Sequence, residues 1–285
     1  MGGSLIFVAA SACVIEWFSK HRGVAVGIAT SGSGIGGFLI TQMNTRLIPH
    51  IGVKRTFRVN ATVFIVAMMF AAAVVKPQCR ISNGDRLTFQ IRKVFNFKLG
   101  LLGMACFFAG VGFLVPNYFA SAYATSLGYT THEGGSVVSG INFGSAVGRI
   151  LFGLVSDRIG HANVFMASFI IAAASCGLLA LIRPFLALAV VGFIYGTAAG
   201  GFASSFVSVC AALFGQESLS TFLGIVCAFI GAGQLVGLMS SSYVIQHFQN
   251  YTLVFYLSAA FYLLGVPCIL AMKLLYFHRL SPKYP

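Results

Sequence analysis

The sequence predicts an all-α membrane protein, a helical bundle of about nine transmembrane segments. Three observations carry this reading. Hydrophobic side chains make up 58% of the 285 residues and charged ones only 8%, where a soluble domain has about a quarter of its residues charged. Mean hydropathy is +0.91, so the polar side chains cannot cover a water-facing surface, and a disordered chain fails on the same ground. The apolar residues also fall in runs of about 20, the length that crosses a bilayer as helix, without the ten-residue alternation of barrel strands.

The segments run in order over 2–18, 24–48, 57–75, 97–121, 135–156, 162–182, 185–209, 219–241 and 251–276. The first is short and begins at Met1 as though its outer end were cut. It lacks the basic start and cleavage site of a signal peptide. The second carries Gly27, Gly34 and Gly36, small residues that suit close helix packing in lipid. In the fourth, Pro116 removes a backbone donor and frees a carbonyl for water or substrate. The fifth and seventh repeat glycine every fourth residue, at Gly140, Gly144 and Gly148 and at Gly192, Gly196 and Gly200, which predicts packing faces.

Net charge is +13, but the basic residues stand between apolar runs rather than on one solvated face, which excludes nucleic-acid binding. One set of alternating connections holds Lys20, Arg22, Lys76, Arg80, Arg86, Arg92, Lys93, Lys98, Arg158, Lys273, Arg279 and Lys283. The opposite set holds only Arg46, Lys54, Arg55, Arg58 and Arg183, so the first side is expected to be cytoplasmic. The domains follow: a partial N-terminal bundle over 1–75, a basic cytoplasmic linker over 76–98, a six-helix bundle over 99–276 and a cytoplasmic tail over 277–285. The plasma membrane is the expected location. The seven cysteines form no CxxC pair and read as small buried hydrophobes, not as zinc ligands or disulfides.

An internal repeat explains the uneven division. Gly27, Gly34 and Gly36 match Gly224, Gly231 and Gly233 in spacing, and each triplet follows an aromatic and an acidic residue, Phe18 with Glu16 and Phe214 with Glu217. The two junctions lie six segments apart, as in a parallel six-helix repeat. The chain is then expected to supply helices four to twelve of a twelve-helix protein, with the first three missing.

Gly32-Ser33-Gly34-Ile35-Gly36-Gly37 contains a GxGxxG string, but it lies within an apolar helix with no strand before it, which excludes a dinucleotide site. More specific is Gly153-Leu-Val-Ser-Asp157-Arg158-Ile-Gly160. Asp157 can accept from a neighbouring helix N-terminus, and Arg158 can pair with an acid, Glu217 first, with Glu16 playing the matching part for a missing loop. This string resembles the G-x-x-x-D-R-x-G loop signature of the major facilitator superfamily in its second-half copy. The resemblance implies a major facilitator-type bundle in which Gly153, Asp157, Arg158, Gly160, Glu16 and Glu217 form a conformational latch. Trp17 to Ala29, Asn142 to Gly160 and Phe214 to Gly237 are similar to the monocarboxylate-transporter group and its oxalate/formate-antiporter relatives.

Of the 18 basic residues, Arg149 alone falls in neither set of connections and lies inside a span. Such a cation costs at least about 2.5–3.5 kcal/mol and is normally paired or turned to an aqueous cavity. Its planar fork matches a carboxylate; the competing reading is that it snorkels to the inner face. The resemblance puts it on the helix-eight arginine that holds substrate anions. Ser145 stands where proton-coupled animal carriers have an aspartate, and Ile230 where the antiporters have a lysine, so a single fixed cation points to a monoanion. Asn117, Tyr118, Asn142, Tyr195 and Gln234 are further candidates for a substrate cavity.

The expected function is secondary transport of small organic monoanions by alternating access, as symport or uniport, with Arg149 as anchor. The alternative is a truncated fragment without transport of its own. No enzyme is expected, since no paired catalytic groups stand at membrane depth, and no cofactor or metal is implied. The expected partners are the anion and the lipid bilayer, with an accessory membrane protein left open and nucleic acid excluded.

Overall fold

The computed structural model describes residues 14, 22–74, 97–215 and 219–277. All but residue 14 of the segment expected over 2–18, all but residues 97 and 98 of the linker, all but residue 277 of the tail, and Glu16 and Glu217 lie outside them. The described chain folds as α1 (Arg22–Ile51), α2 (Val53–Val74), α3 (Phe97–Phe113), α4 (Val115–Ser126), α5 (Thr131–Ile159), α6 (His161–Leu181), α7 (Phe185–Phe214), α8 (Leu219–Phe248) and α9 (Tyr251–Met272), which ends in a π-helical turn Lys273–Phe277. With α3 and α4 taken as one broken span, eight helical segments among the described residues are long and apolar enough to cross a membrane. The protein is an integral, multi-pass, all-α membrane protein.

Small residues set the helix pairs. A side chain on glycine would hold two backbones apart, and in lipid, close van der Waals packing replaces the hydrophobic effect as the force between helices. α5 and α7 run parallel: a Cβ at Gly148 would stand 2.0 Å from Thr197 O, and one at Gly196 would stand 2.0 Å from Ile141 O. α3 and α8 repeat the arrangement through Gly110 against Ile230 O and Gly233 against Phe107 O. α6 meets α9 through the Phe169 and Tyr262 rings, whose centroids are 5.8 Å apart and nearly perpendicular. Lys98 closes one edge of this group, its Nζ 4.7 Å from the centre of the Tyr276 ring. α2 exposes Phe57, Phe64, Met69 and Phe70 and is tied to α1 by Asn60 Nδ2 donating to Asn44 Oδ1 at 2.9 Å.

Two local features differ from the sequence reading. The connection expected between 48 and 57 shrinks to Gly52, whose φ of 76° turns the chain from α1 into α2. Lys54, Arg55 and Arg58 are helical and exposed; their charge marks where the apolar run ends, not where the helix ends. The second difference concerns the carbonyl freed by Pro116, which is not open to water or substrate. Gly112 O accepts from Ser258 Oγ at 3.0 Å and from Tyr195 Oη at 3.3 Å, and Phe113 O accepts from Tyr195 Oη at 2.8 Å. In a site closed to water each unsatisfied carbonyl is costly, so neighbouring helices supply the missing donors.

Candidate functional site: the seam between α1 and α5

Positions 23, 27, 30, 34, 37, 41 and 45 of α1 recur every three or four residues and so lie on one helix face. That face meets α5 running the other way. A Cβ at Gly23 would stand 2.6 Å from Gly153 O, one at Gly27 2.3 Å from Arg149 O, one at Gly34 2.6 Å from Ala146 N, and one at Gly135 2.9 Å from Thr45 Oγ1. The two backbones therefore touch from Gly23 to Gly34, and further along the contacts pass through the Asn142 and Thr45 side chains.

One end of the seam carries the Gly153–Gly160 string. Asp157 accepts from Gly23 N at 2.9 Å through Oδ1 and from Val24 N at 3.1 Å through Oδ2. These are first-turn N–H groups of α1, which have no partner within their own helix, and a carboxylate there also meets the positive end of the helix dipole. The spacing explains itself: Gly153 and Asp157 are one turn apart on one face, the first admitting the α1 backbone and the second capping it. Gly160 ends α5 at φ 93°, a left-handed conformation that favours glycine. Arg158 is exposed in the last turn of α5, where a cation is favoured by the dipole. Its expected acid, Glu217, lies outside the described residues.

Asp157→Ala is expected to weaken this end of the seam by about 1–2 kcal/mol, the usual cost of losing an N-cap acceptor. Asp157→Asn, which keeps one carbonyl oxygen, is expected to lose less. Thermal unfolding in detergent followed by circular dichroism checks the order; equal midpoints for all three forms would remove the cap from the account.

About two turns further into α5, Arg149 is 8% exposed. Its Nη1 donates to the main-chain carbonyl of Thr30 on α1 at 2.6 Å, while its Nε is enclosed and without a partner. The Thr30 side chain is turned back along its own helix, Oγ1 donating to Val26 O at 2.7 Å. No acid neutralises Arg149 among the described residues. Asn142, two turns away on the same face of α5, donates through Nδ2 to Thr41 Oγ1 at 3.4 Å.

The structure thus brings Arg149, Asn142, Gly153 and Asp157 onto one seam and leaves the other candidates elsewhere. Tyr195 is fully buried, its hydroxyl held by the carbonyls of the α3–α4 break and 3.2 Å from Tyr262 Oη. Asn117 is half-buried on α4 beside Tyr118, which is 64% exposed. Gln234 is half-buried on α8. Sequence reasoning missed Thr30, because its contribution is a main-chain carbonyl. The available signal was the Gly27, Thr30, Gly34 spacing, which puts Thr30 on the face that the two glycines bare.

Residues 100–285 match the Major Facilitator Superfamily. The chain is 28% identical over 250 residues to the MFS-type transporter pynF of Aspergillus niger, covering 82% of this chain and 55% of that protein. It is 28% identical over 239 residues to the agnestins efflux protein AgnL12 of Paecilomyces divaricatus, covering 83% and 55%. The chain spans about half the length of these curated relatives. Its fold is similar to that of the E. coli fucose:proton symporter crystal structure, with a TM-score of 0.65, 15% identity, and coverage of 94% of this chain and 73% of that one; at this identity the likeness bears on fold alone. With the signature string capping a neighbouring helix, an all-helical bundle and a family match over most of its length, this chain belongs to the major facilitator superfamily.

Proposed function

We propose that this chain forms the larger part of a carrier of small organic monoanions that works by alternating access, with Arg149 as the anion anchor. The single observation behind this is a guanidinium enclosed between two apolar helices, with no carboxylate beside it among the described residues and with its Nε unpartnered. A permanent cation so placed is retained against a cost in lipid, and a ligand carboxylate supplies the missing acceptor in a geometry that guanidinium matches. Asn142 shares the seam and is assigned to the same site. The capped end of α1, with Gly153, Asp157, Arg158 and Gly160, is assigned the latch that holds the seam shut on the cytoplasmic side, with Glu16 and Glu217 as its acidic partners. The relatives bearing transporter and efflux names support transport as the general activity.

A second reading is that this chain has no transport of its own. Its span of about half the relatives' length favours that reading, since a cavity needs walls on all sides. Uptake of labelled lactate, pyruvate and acetate separates the two. Cells would express the 285-residue chain or a form extended by three N-terminal helices. We expect uptake by the extended form only; uptake by neither, with surface expression verified, removes monocarboxylates as the substrate class.

A further inference from the structure

We infer that the Thr30 carbonyl is a positioning group for the anion site, and that the site is complete only while the α1–α5 seam is closed. This rests on the anchor reading of Arg149.

A guanidinium offers a carboxylate two kinds of fork. One is end-on, from Nη1 and Nη2; the other is side-on, from Nε and the Nη that lies on the same side, Nη2. Each places two parallel N–H groups opposite two oxygens. Here one of the two N–H groups of Nη1 is spent on Thr30 O at 2.6 Å, which ties the guanidinium plane to α1. The side-on fork keeps an enclosed Nε with no partner, and no described residue bonds to it. A single carboxylate would supply that edge with its missing acceptor, whereas a second carboxylate on the same ligand would find no further cation beside Arg149 among the described residues.

The anchoring carbonyl belongs to α1 and the guanidinium to α5, so the fork is aimed only while the two helices touch. Gly27 makes this contact, since a Cβ there would stand 2.3 Å from Arg149 O. Thr30 O itself is held in a small network, accepting also from Ser33 Oγ at 3.1 Å. When the seam parts, Nη1 loses its acceptor, and the long side chain regains the rotamers that the contact had frozen. Anion affinity is then high with the seam closed and low with it open. This is the differential affinity that a ligand needs in order to shift a conformational equilibrium.

The test measures protection of Arg149 by pyruvate against phenylglyoxal, read by mass spectrometry of the Arg149 peptide in the extended, transporting form, which is the parent for both variants. Two variants set the seam. In Thr45→Cys/Gly135→Cys, a Cβ at 135 stands 3.7 Å from that of Thr45, within the range a disulfide bridges, so oxidation locks the seam shut. In Gly34→Leu the new side chain starts 2.6 Å from Ala146 N and wedges the seam open while leaving Arg149 in place. We expect the oxidised lock to be protected at pyruvate concentrations no higher than the reduced form requires, and the wedge to need at least tenfold more. Loss of protection on oxidation overturns the inference, and so does a wedge, verified as folded by circular dichroism, that is protected like the parent; in both cases the anchor stands. If the wedge fails to fold, the oxidised and reduced lock decide alone. No protection in the parent chain removes the anchor reading and the inference with it.

Discussion

Replacing Arg149 with alanine in the extended, transporting form is expected to lower the apparent affinity for a monocarboxylate by at least about 100-fold. Hydrogen bonds to charged groups contribute about 1.5–3 kcal/mol each, and a carboxylate on the side-on fork makes two. Arg149→Lys keeps the charge but offers a point donor in place of a plane, so it is expected to recover only a small part of the loss. The accompanying stability change distinguishes a binding role from a structural one. Arg149 sits between apolar helices with no counter-charge among the described residues and with an enclosed N–H unpaired, so removing it relieves a cost that nothing described nearby repays. The thermal midpoint of Arg149→Met is therefore expected to equal or exceed that of the parent while uptake is lost. Unchanged uptake in these variants would assign the guanidinium to snorkelling and leave the carrier without an anchor.

The features legible in the sequence were those whose physics is carried by side chains at fixed spacing. Hydrocarbon thickness wrote the helices as apolar runs, and the glycines of α5 and α7, four residues apart, mark the faces that meet. A lone cation in an apolar run marked Arg149. Beyond this the sequence became ambiguous in two ways. A polar residue on an apolar helix reads the same whether it bonds a ligand or a neighbouring helix; only the fold shows that Tyr195 spends its hydroxyl on the carbonyls freed near Pro116 and that Tyr118 is exposed. Main-chain acceptors, in turn, leave no trace in residue type, so the Thr30 carbonyl was out of reach; Asp157 reads from the sequence as an acceptor for a helix N-terminus, and the fold adds that its donors are the Gly23 and Val24 amides. Helix ends were misplaced for a related reason. α8 continues to Phe248, past the apolar run that ends at 241, because a helix can leave the hydrocarbon without ending.

The same conservative substitution at two glycines is expected to have opposite effects on stability, and Gly148 is the one that matters for the seam. In water-soluble hosts glycine in a helix is about 0.8–1.0 kcal/mol less favourable than alanine, so a methyl group added where there is room should stabilise. Gly177, on α6, has open space around its Cβ position, and Gly177→Ala is expected to leave the thermal midpoint unchanged or raise it. At Gly148 the methyl group would stand 2.0 Å from Thr197 O and 2.6 Å from the carbonyl carbon behind it. Those atoms are helix backbone and cannot rotate away. α7 must therefore move off α5 by more than an ångström to restore ordinary contact, breaking the parallel approaches at Gly144 and Gly196 as well, and overpacking of this kind costs about 1–3 kcal/mol. The midpoint of Gly148→Ala is expected to fall by several degrees despite its better helix former. Because Arg149 is the next residue on α5, the displacement also shifts the guanidinium that reaches Thr30, so the variant should lose anion affinity together with stability. Equal midpoints for the two alanine variants would mean that α5 and α7 do not pack backbone to backbone, and would remove the rigid surface against which the Arg149 fork is aimed.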